Sequence, residues 1–482
     1  MSSRVFLTAP GPRLWTQVSL ATFYCGFAMV YLPAFGLPGA GAAVVALGLF
    51  VGILAAPLEY ALGATACTFV LACCIGLSSA FLNLRWLFLG VSLAVLSLRF
   101  FLARKVGHTS IASKFVYLIA VFLIVSSATL VTSVATELTL LKLAALACLL
   151  YVAWRAAPDL VDTHGPSSAH RLALGLLAYP MAPIVLSFAS YLLGFGQTYG
   201  STTFGGYLEN ANAYGSLVAM ALPWLAAGLF RGSRQPRSWR LGLYVAAVMF
   251  FYGLLLTGSR SALLGTLLAV TLFCMIHANR RVTALLLLFA VFVATRVLAT
   301  PDLLSEVTGR YLYKHKIRGQ DKPQTDPLQS RVRPWRIARE SFFESPWLGL
   351  GFGVTSKAES NWSIDVRTGP GAIETGSSVL GSLVQVGILG AGPLFLAIVL
   401  LLIEAGRFAW RVKDPWLTGI YGSTVALTVC ALFEGFLIAP GSFPTMYFWV
   451  QCFFLNRVIC QFRPSAVRQA ACLPSTLARQ PL

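Results

Sequence analysis

Phe115-Val-Tyr-Leu-Ile-Ala-Val-Phe-Leu-Ile-Val-Ser-Ser-Ala-Thr-Leu-Val-Thr-Ser133 carries no charged side chain. It approaches the roughly 20 apolar residues that an α-helix needs to cross the hydrocarbon of a bilayer. Val282 to Ala299, interrupted by Arg296 alone, and Ala391 to Ile403 read the same way. Across the chain 57% of residues are hydrophobic and 11% charged, whereas about a quarter of a soluble domain is charged. Mean hydropathy is +0.75. No soluble core could hide that much apolar surface, so the fold expected is all-α, a polytopic transmembrane helical bundle whose backbone groups are satisfied within each helix.

Working outward from 115–133, the pattern gives about 14 helices with boundaries good to a few residues. They cover Gln17 to Gly36, Gly39 to Ala56, Ala61 to Ser79, Leu84 to Phe101, Phe115 to Ser133, Leu138 to Trp154 and Leu172 to Leu193. Then come Ala211 to Phe230, Leu241 to Thr257, Ser261 to Ile276, Val282 to Ala299, Gly376 to Leu402, Trp416 to Ile438 and Phe443 to Ile459. Ahead of the first stand Arg4, Arg13 and a proline-containing stretch without a small-residue cleavage site, which favours a retained helix over a signal peptide. The organisation expected is N-terminal helices over 1–209, core helices over 210–299, one large loop over 300–375, and C-terminal helices with a basic tail over 376–482.

The net charge of +19 is spread over many short loops, which argues against a nucleic-acid patch. Positive residues accumulate in cytoplasmic loops, and here they fall in alternate ones: Arg104, Lys105 and Lys114; Arg155 and Arg171; Arg231, Arg234, Arg237 and Arg240; Arg280 and Arg281; Arg407, Arg411 and Lys413; Arg463 and Arg468. Both termini then face the cytoplasm, and 194–210 and 300–374 face the periplasm. The longer of these is mixed in sign, which suits a small folded unit, and it carries Trp335, Trp347 and Trp362, suited to an interface or to stacking on sugar rings. The ten cysteines lie mostly in apolar runs without metal-ligand spacing and read as small buried hydrophobes.

Three features can carry chemistry. Arg260, in Thr257-Gly-Ser-Arg-Ser-Ala-Leu-Leu-Gly265, stands between two helices at the periplasmic side, where a cation can grip phosphate; snorkelling at a helix end accounts for its position equally well. Ser330-Arg-Val-Arg-Pro-Trp-Arg-Ile-Ala-Arg-Glu340 gathers Arg331, Arg333, Arg336 and Arg339 in a non-cytoplasmic loop. Guanidinium forks match phosphate oxygens, while charge alone favours a solvated amphipathic helix paired to Glu340 and Glu344. Glu374 precedes a small-residue-rich helix, where it can accept a proton from an incoming hydroxyl or cap the helix dipole.

Taken in order, these segments resemble the O-antigen polymerase and O-antigen ligase family of bacterial membrane proteins. The resemblance rests on Gly258-Ser-Arg260-Ser-Ala ending a helix turn, on Arg331, Trp335 and Ser345-Pro-Trp-Leu-Gly-Leu-Gly-Phe-Gly353 in the long loop, and on Gly387-Ile-Leu-Gly390 in the next helix. It covers roughly Glu209 to Leu402. Gly200-Ser-Thr-Thr-Phe-Gly and Asn210-Ala-Asn-Ala-Tyr214 are a weaker echo upstream, and Asn212 joins the substrate-binding candidates.

The resemblance implies glycan transfer from an undecaprenyl-diphosphate carrier to a sugar hydroxyl in the inner membrane, without metal, nucleotide sugar or other cofactor. Its expected partners are the lipid bilayer, undecaprenyl-diphosphate-linked oligosaccharide, a chain-length regulator and a flippase, with no nucleic acid. Arg260 and Glu374 are the catalytic candidates, with Arg331, Arg333, Trp335 and Asn212 binding diphosphate or glycan. Two departures stand out. Gly376-Ser377 occupies the place of the family's usual His-Asn pair, and Gln197-Thr-Tyr199 stands where a further arginine is expected. The missing histidine tilts the expectation from ligase toward repeat-unit polymerase, with a transporter for lipid-linked sugars as the reading from another class. Glu434 and Lys142, charged groups inside apolar runs, either line a carrier groove or are neutralised by pairing or snorkelling. Asn361-Trp-Ser363 forms a glycosylation triplet of the kind that arises by chance.

Overall fold

The computed structural model describes residues 12–31, 38–103, 113–193, 204–208, 210–231, 237–277, 329–355 and 376–471. The helices are α1 (Pro12–Tyr31), α2 (Pro38–Ala55), α3 (Leu58–Leu71), α4 (Ser78–Ala103), α5 (Lys114–Thr132), α6 (Thr136–His164), α7 (Ser168–Ala178), α8 (Met181–Leu192), α9 (Ala211–Arg231), α10 (Arg237–Thr257) and α11 (Arg260–His277). They are followed by α12 (Gln329–Glu344), α13 (Ser378–Val412), α14 (Pro415–Phe433) and α15 (Phe443–Ala471). The expected helix at Val282 to Ala299 and most of the loop 300–375 lie outside the described residues.

Among the described residues nine helices are long and apolar enough to cross a membrane, and ten such spans result if α7 and α8, bent by 51°, are one. The protein is therefore an all-α polytopic membrane protein. Helix α5 shows how the sequence dictates burial. Ser113 caps its start by accepting from the Val116 N–H at 3.1 Å. Phe115, Ile119, Phe122, Ser126 and Thr129 repeat at helical spacing on a buried face, while Tyr117, Ile124 and Val131 are turned outward, Val131 being 91% exposed. Apolar residues facing outward and two hydroxyls facing inward invert the pattern of a soluble helix, as expected where the surroundings are lipid.

Helices α9 and α14 are the interior of the bundle, each with most of its apolar window buried, and both pack on α11. The turn from α13 to α14 is written locally: Lys413 adopts a left-handed conformation, Asp414 accepts from the Leu417 N–H at 2.9 Å, and Pro415 takes the first helical position. Several boundaries differ from the sequence pattern: α6, α13 and α15 run ten or more residues past the ends expected at Trp154, Leu402 and Ile459, and two other differences have tertiary reasons. The run Ala61 to Ser79 is helical only to Leu71 at its start, because the following turn pairs outward: the Ile75 N–H donates to the Tyr207 carbonyl at 2.8 Å and the Tyr31 hydroxyl to the Ile75 carbonyl at 2.5 Å. The run Leu172 to Leu193 bends at Tyr179-Pro180, where proline removes a backbone donor.

Helices α3 and α7 cross so closely that a Cβ on either Gly63 or Gly175 would overlap backbone of the other helix, the small-residue contact typical of membrane bundles. Charged groups within the bundle are held individually. Arg457 grips both oxygens of Asp162 at 2.9 and 3.0 Å, joining α15 to α6. Buried Glu59 lies 3.4 Å from Arg171 and 3.5 Å from His164. Buried Arg85 donates to the Gly441 carbonyl at 2.8 Å and so ties α4 to the segment before α15. The nine cysteines among the described residues are free thiols, and Cys67, Cys74, Cys430 and Cys452 are buried as small apolar groups.

Candidate active site

The start of α9, the end of α14, the start of α13 and the first turns of α12 meet at one end of the bundle, and Glu434 is where they join. This residue caps α14 in an extended conformation, which turns the chain out of the helix. Its backbone carbonyl accepts from the Ser378 hydroxyl at 2.6 Å, and the same hydroxyl accepts from the Leu437 N–H at 3.0 Å. Ser378 at the head of α13 thereby fixes the exit of α14. One carboxylate oxygen, Oε1, accepts from the Asn212 side-chain amide at 2.9 Å and is ion-paired with Arg331 Nη2.

Each partner is delivered by a local device. Asn210 folds an Asx turn, its Oδ1 accepting from the Asn212 N–H at 2.8 Å, and this sets the first turn of α9 so that Asn212 reaches across to Glu434. Arg331 and Trp335 lie four residues apart on α12 and therefore share a face. The indole Nε1 donates to the Gly376 carbonyl at 3.2 Å. The Arg331 side chain lies over Gly376, where a Cβ would come within 2.8 Å of Nη1. Arg260 opens α11. The preceding Ser259 packs against Gly215, one turn into α9 from Asn212, so Arg260 belongs to the same end of the bundle.

Of the residues singled out from sequence, the structure brings Arg331, Trp335 and Asn212 together and sets Arg260 on the adjoining helix end. Glu374 and Trp362 lie outside the described residues, as does the side chain of Arg333. Arg336 faces solvent, 3.9 Å from an equally exposed Glu340, and Arg339 lies over the Phe343 ring at 5.8 Å. The arginine-rich helix is thus solvated on one side, with Arg331 turned inward. Lys142 donates to the Gly353 carbonyl at 2.6 Å. Sequence reading did not give Glu434 its central place. The signal available was its solitary carboxylate in an apolar run, a costly thing to bury without donors.

Below this rim, α13 is broken. Gly387 has φ 59° and ψ −170°, a region essentially reserved for glycine. The break strands carbonyls before it and N–H groups after it, and Ser345-Pro-Trp-Leu-Gly-Leu-Gly-Phe-Gly353 satisfies both. Leu350 and Gly351 donate to the Val384 and Gln385 carbonyls at 2.8 and 3.1 Å, while Ile388 and Leu389 donate to the Pro346 and Trp347 carbonyls at 2.9 and 3.2 Å. The Gln385 side chain accepts from the Gly353 N–H at 2.8 Å, and Thr129 of α5 accepts from the Phe352 N–H at 3.0 Å. Irregular backbone is tolerated in a membrane protein where neighbouring protein satisfies it. Two glycine-bearing motifs, far apart in sequence, are here the two halves of one joint, which holds α12 against the head of α13.

Residues 245–395 match the O-antigen ligase family model, Wzy_C. The match falls within the stretch, roughly Glu209 to Leu402, on which the resemblance to the O-antigen polymerase and ligase family rests. The matched segment contains Arg260, Arg331, Trp335 and the whole α13 joint, whereas Asn212 precedes it and Glu434 follows it. The match supports a role in joining polysaccharide, as polymerase or ligase, by a membrane enzyme. No curated protein matches the chain.

Proposed function

We propose that this protein is a polymerase that joins undecaprenyl-diphosphate-linked oligosaccharide repeat units into exopolysaccharide or O-antigen at the periplasmic face of the inner membrane, both termini being cytoplasmic. The observation that carries the reading is the cationic, aromatic and amide group set of Arg331, Trp335 and Asn212 at one rim of the bundle beside the start of α11. In this reading an acceptor sugar hydroxyl attacks the anomeric carbon of the donor as the carbon–oxygen bond to the diphosphate breaks, with inversion. Arg260 and the inward arginine of α12 stabilise the diphosphate as it leaves, a role for charges fixed before the reaction starts. Glu374 takes the proton of the attacking hydroxyl, and Trp335 offers a face to the sugar. No cofactor enters this scheme, and a chain-length regulator and a flippase would act beside it.

The family description, O-antigen ligase, points to the second reading; such a ligase would move a finished chain onto lipid A core or a protein. Purified protein in proteoliposomes with carrier-linked repeat units separates the two. A polymerase makes a ladder of longer carrier-linked glycans from the donor alone; a ligase makes product only when a lipid A core or protein acceptor is added. Absence of product from the donor alone and with either acceptor would dispose of the glycosyl-transfer reading and leave a transporter for lipid-linked sugars. Arg260→Ala is expected to lower product formation by about 100-fold or more while membrane insertion is unchanged, because one preorganised charge is worth that much in a low-dielectric site. Glu374→Gln is expected to lower it similarly without loss of donor binding, and unaltered glycan length and yield would remove Glu374 from the mechanism.

A further inference from the structure

The Arg331–Glu434 pair is an unusual way to hold a cation intended for a ligand. Two side-chain donors, the Asn212 amide and Arg331 Nη2, converge on the single oxygen Oε1 of Glu434. Both side chains of the ion pair are largely but not wholly buried, with 19% of Arg331 and 12% of Glu434 exposed. An amide N–H and a guanidinium N–H directed at one anionic oxygen also form a site for a phosphate oxygen, because both are pure donors there. Glu434 is held in place by its own backbone, through Ser378, so its carboxylate can swing while the chain stays put.

We infer that the Glu434 carboxylate is a built-in stand-in for phosphate: it occupies the Arg331–Asn212 donor set in the empty protein, is displaced when the diphosphate of a lipid carrier binds, and returns to help expel the carrier after transfer. This deepens, and rests on, the reading of the rim as a site for a diphosphate-linked glycan. The physical basis is competition for the same donors. A diphosphate carries more charge than one carboxylate and can engage the guanidinium fork with two oxygens. The closed pair lowers apparent affinity in proportion to the fraction of time that it is closed, so a pair closed nine-tenths of the time weakens binding about tenfold. What is lost in affinity is regained in turnover, since spent carrier leaves a site that has a competing anion tethered beside it. A pair that served only to staple α12 to α14 would behave in the opposite way, for its removal would loosen the site and weaken binding.

The test uses the full chain in nanodiscs and measures binding of undecaprenyl diphosphate, with inorganic diphosphate as competitor. Glu434→Gln is expected to bind undecaprenyl diphosphate about tenfold more tightly than the unaltered protein and to turn over more slowly in the proteoliposome assay, a lower KM accompanied by a lower kcat. Displacement by inorganic diphosphate locates the recognition in the headgroup; displacement by undecaprenol alone would place it in the tail and overturn the inference. Glu434→Asp, which keeps the charge but shortens the reach, covers the case in which the glutamine variant does not fold, and is expected to bind more tightly by a smaller factor. Binding that is unchanged or weaker in whichever of these variants is monodisperse overturns the inference. The two levels fail separately: tight binding of undecaprenyl diphosphate without glycan transfer by the unaltered protein rejects the proposed function, whereas transfer with no tightening in the variants rejects only the role of Glu434.

Discussion

Gly387→Ala is expected to yield a protein that does not reach its folded state, with no monodisperse peak in detergent and no thermal transition. Two penalties combine at this one position. The backbone is held at φ 59° and ψ −170°, a conformation that costs a residue with a Cβ roughly 1–3 kcal/mol. In addition, the new methyl group would overlap the Trp347 carbonyl and the Leu348 nitrogen, backbone atoms that cannot rotate away. Relief of that overlap requires the 345–353 segment to withdraw, which leaves the carbonyls of Val384 and Gln385 and the N–H groups of Ile388 and Leu389 without these partners. Unsatisfied backbone groups away from water cost several kcal/mol each, and a domain is stable by about 5–15 kcal/mol in all. Gly392, where a Cβ would meet nothing within 4 Å, is the matched control on the same helix, and Gly392→Ala is expected to melt like the unaltered protein. Equal behaviour of the two variants would show that the joint is not what holds α13.

Arg331→Ala is expected to remove glycan-joining activity by two orders of magnitude or more and to destabilise the protein by about 3 kcal/mol, since it takes the cation from a largely buried ion pair. The two effects are separable. In the double variant Arg331→Ala with Glu434→Gln the carboxylate that lost this cation is replaced by a neutral amide, so most of the lost stability should return in a thermal melt while activity stays absent. Arg331→Lys keeps the charge but not the planar fork and is expected to fall between. Recovery of activity in the double variant would reduce Arg331 to a structural partner of Glu434.

Part of this arrangement was legible in the sequence. Arg331 and Trp335 stood out through the arginine-rich loop motif and Asn212 through the upstream segment of the resemblance, and the structure sets the three at one end of the bundle. The cost of burying a charge marked Glu434 and Lys142 as needing an account, but it could not name their partners. Glu434 lies more than a hundred residues from Arg331 and twice that from Asn212, and no periodicity connects positions so far apart. Arg336 and Arg339 could not be told from Arg331 by spacing alone, because which face of α12 turns inward is set by what it rests on. The head of α13 and the exit of α14 set it here.

By itself the sequence determined that the chain is helical and lives in a bilayer, and which stretches form its apolar helices, though several of their ends fall ten or more residues from those expected. These follow from a local cause, hydropathy over a window. Only the tertiary structure decided that α3 stops at Leu71, that the Ser345 to Gly353 segment closes the break at Gly387, and that one carboxylate gathers Arg331 and Asn212. The reason is that hydrogen-bond groups released by an irregular backbone, and charges released by burial, must be satisfied by whatever lies nearest in space, and in a bundle of many helices the nearest group in space is seldom near in the chain.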